Sequence, residues 1–130
     1  DEAFAKTLNL IRRLPVSYLH VFPFSARPGT PAATFPDPVP PPAIKARCAA
    51  LREEGDRKKA AFFAGQIGNT LQALVEGRRD RATGLLKGLS DNYIPILLEG
   101  TDDLKNFLVD VRLVKVIEGY SVHGVIVDIA

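Results

Sequence analysis

Three arginines stand within four residues, Arg78, Arg79 and Arg81, with Lys87 shortly after them and Lys115 further along. Guanidinium and ammonium groups at that density can grip phosphates, an attraction that weakens as salt rises. The other reading is a solvated hairpin end, with Asp80 diluting the cluster. Asn92 and Tyr93 offer an amide for hydrogen bonding and a ring on which a base can stack. Against this, Asp91-Asn92 is ordinary turn chemistry and Tyr93 can open a core strand. In ARPGTP (26–31), Gly29 lets the backbone approach a ligand and Arg27 suits a carboxylate or phosphate, unless the prolines merely shape a turn. His20 and His123 lie over a hundred residues apart with no acid at ligand spacing, so both read as packed, hydrogen-bonded histidines. Cys48 reads as an inert buried thiol. No GxSxG, HExxH or P-loop pattern occurs, and no catalytic constellation is present.

Composition narrows the classes. The chain has 130 residues, 46% hydrophobic and 25% charged, the balance of a globular domain with an appendage. No apolar run approaches the ~20 residues that span a bilayer. DEAFAKTL has an acidic opening and no apolar core, unlike a secretory leader. One cysteine rules out an internal disulfide and a cysteine-rich metal site built within this chain, and it suits a reducing cytoplasm. Net charge is +2, divided as +4 over residues 1–65 (ten basic, six acidic) and −2 over 66–130 (seven basic, nine acidic). A nucleic-acid module usually shows a basic face, so the second half must be judged on local clusters.

The elements that position these residues follow from periodicity. Phe4, Leu8 and Ile11 make one stripe of a helix that Pro15 ends. SYLHVFPF (17–24) is short, aromatic and β-branched, and predicts a buried strand ending at Pro23, one that needs partners. Seven prolines between 28 and 42 predict a polyproline-like connector. A helix follows, with Ile44, Cys48, Leu51 and Phe62 on its stripe and a kink or break expected at Gly55. After Gly65 the texture predicts five strands, 70–76, 83–89, 93–99, 107–117 and 121–129. In the fourth, Phe107, Val109, Val111 and Leu113 point inward and a bulge is expected near Leu113. Five bent strands in so short a span predict a small closed barrel of the OB type.

Three collinear segments carry a resemblance that covers the whole chain. YLHVFPFSARPGTPAA (18–33) resembles the end of the catalytic barrel in radical-SAM tRNA methylthiotransferases. DEAFAKTL resembles the helix before it, and GLSDNYIPILLEG (88–100) resembles a strand–turn segment of their TRAM domain. The LHVFPFS wording is similar to the MtaB branch of these MiaB-like enzymes, which acts on threonylcarbamoyl-adenosine beside the anticodon. The resemblance implies an α+β fragment. Residues 1–42 would be the tail of a TIM-type barrel with its connector, 43–65 a linker helix, and 66–130 an antiparallel five-stranded TRAM barrel. It implies a parent using two [4Fe–4S] clusters and S-adenosylmethionine, with Ser25, Arg27 and Gly29 near the latter. The cysteines that would hold the clusters are absent, so this piece alone is expected to bind no metal and to catalyse nothing. Expected partners are a tRNA anticodon stem-loop, gripped by Arg78, Arg79, Arg81, Lys87, Asn92, Tyr93 and Lys115, and the rest of the catalytic domain. Two other readings stay open: a structural or oligomerisation barrel, and a freestanding OB-like module. A strand at 17–22 without neighbours would also lead to self-association or disorder through residues 1–24.

Overall fold

The computed structural model describes residues 1–117 and 121–129, and the chain divides into two compact units, Asp1–Ala60 and Ala61–Ala130. None of the described helices is long and apolar enough to cross a membrane.

In the first unit, helix α1 (Glu2–Arg13) half-buries Phe4, Leu8 and Ile11, the expected stripe. Its C-terminal carbonyls lack intrahelical donors, and Lys58 Nζ supplies them, 3.3 Å from the Arg12 oxygen and 2.8 Å from that of Leu14. Helix α2 (Pro41–Gln66) starts on prolines, which the first turn tolerates because its N–H groups have no intrahelical acceptor. It runs unbroken through Gly55, contrary to the expected kink. The glycine is there for space: a Cβ would stand 3.2 Å from that of Leu19. Glu54, buried beside it, accepts hydrogen bonds from Arg57 and, at 3.2 Å, from Arg12 Nε.

The expected strand at 17–24 does not form. The segment is irregular, Phe22 and Phe24 are exposed, and the Val21 carbonyl accepts from an Arg52 side chain at 3.2 Å instead of from a neighbouring strand. An apolar, β-branched run needs backbone partners, and no described residue of this unit is in a strand. With no strand there is no edge, so the basis for edge-to-edge association through residues 1–24 falls away.

The second unit is a closed barrel of β1 (Thr70–Arg79), β2 (Leu86–Ser90), β3 (Pro95–Leu98), β4 (Leu108–Ile117) and β5 (Ser121–Ile129), in ring order β1-β2-β3-β5-β4. The antiparallel barrel expected from sequence is in fact mixed, since β3 and β5 pair in parallel. Geometry requires it: directions cannot alternate all the way round a ring with an odd number of strands. Following the ladder from Asn69, whose carbonyl accepts from Leu113, through Gly124, Leu98 and Leu86 returns to β1 at Arg79, ten residues along. So large a stagger tilts the strands steeply, and a ring of only five of them encloses an interior that side chains fill. Val75, Leu86, Ile94, Ile96, Leu98, Val109, Val111, Leu113 and Val122 fill it, with Phe63 from the last turns of α2. The bulge expected near Leu113 appears as a register shift between Leu113 and Lys115. Phe107 departs from expectation: it precedes β4 and is 54% exposed, so the inward phase begins at Val109.

Candidate nucleic-acid interface

The β1–β2 connection is built around two side chains that serve the loop itself. Asp80 Oδ2 accepts from the Thr83 backbone N–H at 2.9 Å and its hydroxyl at 2.7 Å. The bond from the hydroxyl, then that from the amide, holds the Asp80 carboxyl below its ordinary range. Gly84, at φ +73, takes the left-handed conformation that closes the loop. Arg79 donates from Nε to Asp102 Oδ1 at 2.8 Å, from Nη1 to the Gly84 carbonyl at 2.9 Å and from Nη2 to the Gly100 carbonyl at 2.8 Å. All three nitrogens of its fork are engaged within the barrel, so Arg79 ties the hairpin to the 3-10 turn at Asp102–Leu104. Lys105 and Arg79 hold the Asp102 carboxyl below its ordinary range, chiefly through the Lys105 hydrogen bond. Arg78 and Arg81 are exposed and make no ion pair among the described residues.

Register then gathers residues that sequence distance separates. Lys87 on β2 pairs with Leu97 on β3, Leu97 with His123 on β5, and His123 with Lys115 on β4. Their strand neighbours Ile96, Leu98, Val122 and Gly124 are buried, so this row faces outward. It carries Lys87, His123 and Lys115 around a buried Leu97, with Glu76 of β1 in a 3.4 Å ion pair to Lys87 at its end. Lys115 and His123 also line one shallow surface hollow with Val116 and Ile117. The row therefore joins Lys87 to Lys115, while Arg81 lies apart in the hairpin loop and Arg112 sits off the row opposite Thr70 and Val125.

His123 was legible only as a packed histidine, because its partners Leu97 and Lys115 depend on a parallel pairing and a bulge. The alternation in SVHGVIVDI does place it on the phase opposite Val122 and Gly124.

Asn92 and Tyr93 occupy the β2–β3 turn. The Asn92 amide is engaged locally: Oδ1 accepts from Ser90 Oγ at 2.6 Å and Nδ2 donates to Gln66 Oε1 at 3.4 Å. Tyr93 does not open a core strand; β3 starts at Pro95, and the tyrosine is 67% exposed with φ +64.

In the first unit, Ser25, Arg27 and Gly29 lie on an exposed turn in which Thr30 donates through N and Oγ1 to the Arg27 carbonyl, at 3.2 and 2.7 Å. Gly29 has φ +82 and open space where a Cβ would stand. Nothing in this turn encloses a ligand. Cys48 is buried in α2, and no group of three or more His, Cys, Asp or Glu converges among the described residues.

Comparison with known proteins adds a relation. A tRNA-2-methylthio-N(6)-dimethylallyladenosine synthase of Enterobacter sp. (strain 638) is 34% identical over 124 residues, 95% of this chain and 26% of that protein. Proteins of the same name from Escherichia coli O139:H28 and Shigella boydii serotype 18 are 36% identical over 115 residues, 88% of this chain and 24% of each. The chain thus spans about a quarter of the length of the curated relatives it matches. No family model matches it.

Proposed function

This chain is homologous over most of its length to a segment of the MiaB-like tRNA methylthiotransferases, and on that premise we propose that it is the tRNA-binding C-terminal part of such an enzyme, working in the cytoplasm. The barrel, residues 66–130, is its TRAM domain and holds the anticodon stem-loop, while residues 1–42 and the linker helix 43–65 join it to the catalytic barrel. The observation that carries this reading is the outward row of Lys87, His123 and Lys115, with Arg78 and Arg81 exposed apart from it at the β1–β2 hairpin. Cations on a curved barrel wall suit a phosphate backbone, which fixes register while unpaired bases supply specificity. Arg79 braces the hairpin that carries Arg78 and Arg81, and Asn92 braces the β2–β3 turn that carries Tyr93.

The parent's chemistry would need two iron–sulfur clusters and S-adenosylmethionine. The residues present do not fit a cluster, which takes three or four convergent thiolates where this chain has Cys48 alone, and no step through one follows from them. Ser25, Arg27 and Gly29 would border S-adenosylmethionine only with the remainder of the catalytic barrel around them. The LHVFPFS wording (19–25) supports threonylcarbamoyl-adenosine as the parent's target, whereas the relatives' names specify a dimethylallyl adenosine.

Fluorescence anisotropy with an anticodon stem-loop RNA tests the RNA reading. With about three phosphates neutralised, affinity should fall roughly 20- to 40-fold between about 50 and about 200 mM salt. Charge reversal at Arg78, Lys87 and Lys115 together should abolish binding without unfolding the barrel. Binding indifferent to salt would overturn the reading.

One observation favours a second reading, in which the barrel packs on a protein surface. Leu108, Leu74, Leu89 and Pro95 form a second outward row by register, and the three leucines are exposed. A barrel that binds no RNA but whose leucine row is protected in the intact enzyme would establish that alternative.

A further inference from the structure

The β2–β3 turn holds a tyrosine where a tyrosine is costly twice over. Three described residues other than glycine have positive φ: Asp37, Tyr93 and Asn106. Aspartate and asparagine visit the left-handed region readily because their short side chains bond locally; a bulky aromatic residue does not. Tyr93 sits there at φ +64 and leaves its ring 67% exposed, so burial does not repay the strain. The turn is firmly braced around it. Tyr93 N–H donates to the Ser90 carbonyl at 3.0 Å, Ile94 N–H to Ser90 Oγ at 2.8 Å, and Asp91 N–H to the Gln72 carbonyl at 3.1 Å. Ser90 Oγ donates in turn to Asn92 Oδ1, and Asn92 is anchored to Gln66. Next to the tyrosine, Ile94 is fully buried and pins the turn to the core. Glycine or asparagine would make the same turn with less strain. The turn's geometry therefore explains the positive φ and the bracing, but not the ring.

The ring's surroundings suggest its use. Lys87 lies on the same β2–β3 ribbon, three residues or about 10 Å before the turn begins at Ser90. Between them Leu89 pairs with Pro95, an apolar step with Leu89 exposed. One ribbon thus offers, in order, a cation, an apolar shelf and a rigidly mounted aromatic ring.

We propose that Tyr93 is a stacking platform for one unpaired nucleobase, so that the barrel selects RNA carrying an unpaired nucleotide over fully paired RNA. This rests on the RNA-binding reading above and sharpens it by naming the ligand class. Asn92 is a positioning residue for the platform rather than a contact. A base with its Watson–Crick partner is sandwiched in its own stack and cannot lie on the ring, whereas any unpaired base presents a π-face to it.

The test compares a short RNA stem-loop with a fully paired duplex of equal phosphate count, titrated against the whole chain and against Tyr93→Gly and Tyr93→Phe. The unaltered chain should favour the stem-loop. Tyr93→Gly should weaken stem-loop binding about tenfold or more and leave duplex binding and the salt slope unchanged. Tyr93→Phe should retain the preference, since the ring and not the hydroxyl does the stacking. The Tyr93→Gly chain should melt at the same or a higher temperature, because glycine takes positive φ freely. Equal stem-loop affinity in Tyr93→Gly and the unaltered chain would overturn the platform while leaving RNA binding intact, as would equal losses on both RNAs. Failure of the unaltered chain to bind either RNA would overturn the RNA-binding reading, and the platform with it.

Discussion

Two stretches of similar texture meet opposite fates in this molecule. SYLHVFPF (17–24) and YIPILLE (93–99) are both short, apolar and rich in β-branched or aromatic residues. The second contains β3, paired on one side with β2 and on the other with β5, and Ile96 and Leu98 vanish into the core. The first makes no strand, and Phe22 and Phe24 stand in solvent near an apolar hollow lined by Phe4, Phe35, Val39 and Leu51. The difference teaches that β texture states what a segment can bury and says nothing of whether backbone partners exist. In the barrel every strand has two neighbours; in the helical unit, α1 has no fully buried residue.

Truncating a side chain from each stretch breaks that comparison most sharply. Leu98→Ala removes a fully buried side chain from a closed interior and should cost about 2–5 kcal/mol. Phe22→Ala, at 82% exposure, should change stability by less than about 0.5 kcal/mol. Denaturant unfolding read by amide exchange, at Val111 and Val122 for the barrel variant and at Cys48 and Leu51 of α2 for the other, checks both. A large loss in Phe22→Ala would mean that the aromatic segment is packed after all.

Gly124→Ala comes next. This glycine faces the interior of β5, where a Cβ would overlap Val111 Cγ1 and stand 2.9 Å from Ile96 Cγ2. Both obstacles are held in strands, so the overpacking should cost about 1–3 kcal/mol. Barrel amides exchanging no faster than before would show that the interior can give way.

The barrel was the more legible half because alternation along FLVDVRLVKVI and SVHGVIVDI already separates Val109, Val111, Leu113 and Val122 from their outward neighbours. The phase change after Leu113 announced the bulge for the same reason. Pairing was not legible. That β3 lies beside β5, and that Lys87 therefore shares a row with His123 and Lys115, depends on closure of the ring, which no local pattern encodes. Nor does residue type reveal engagement: Arg78 and Arg79 are identical neighbours, yet one is exposed and the other is bound to Asp102, Gly84 and Gly100. The sequence allows Tyr93 to be either a stacking ring or the start of a core strand, and its backbone angle, its exposure and the start of β3 at Pro95 exclude the second.

Acid separates the units by a smaller effect. Glu54 in the helical unit is held below the ordinary glutamate range, first by the Arg57 hydrogen bond and then by that of Arg12, against the opposing pull of burial. A carboxyl with a lowered folded pKa binds more protons when unfolded. Its contribution is therefore complete above the unfolded value, about 4.3, and is lost as pH falls through the folded one. The Gly55 amide resonance should shift below about pH 4, and Glu54→Gln should remove that dependence while barrel resonances near Asp80 and Asp102 keep theirs. A Gly55 profile unchanged in Glu54→Gln would assign the titration to another group.

The smallest effect is expected at Gly55, the helical counterpart of Gly124. Alanine in a helix interior gains up to about 1 kcal/mol over glycine by restricting the unfolded chain. Against this, the new methyl would stand 3.2 Å from Leu19 Cβ and 3.5 Å from its Cγ, a contact that requires Leu19 to move a few tenths of an ångström. Leu19 lies in the irregular segment with no strand ladder to hold it, so it can yield where Val111 and Ile96 cannot. Gly55→Ala should therefore be neutral to stabilising, by about 0.5 kcal/mol, in thermal unfolding followed by helical circular dichroism. A loss as large as that of Gly124→Ala would show Leu19 to be gripped as tightly as a barrel residue, and the contrast between the two units would then rest on hydrogen bonding alone.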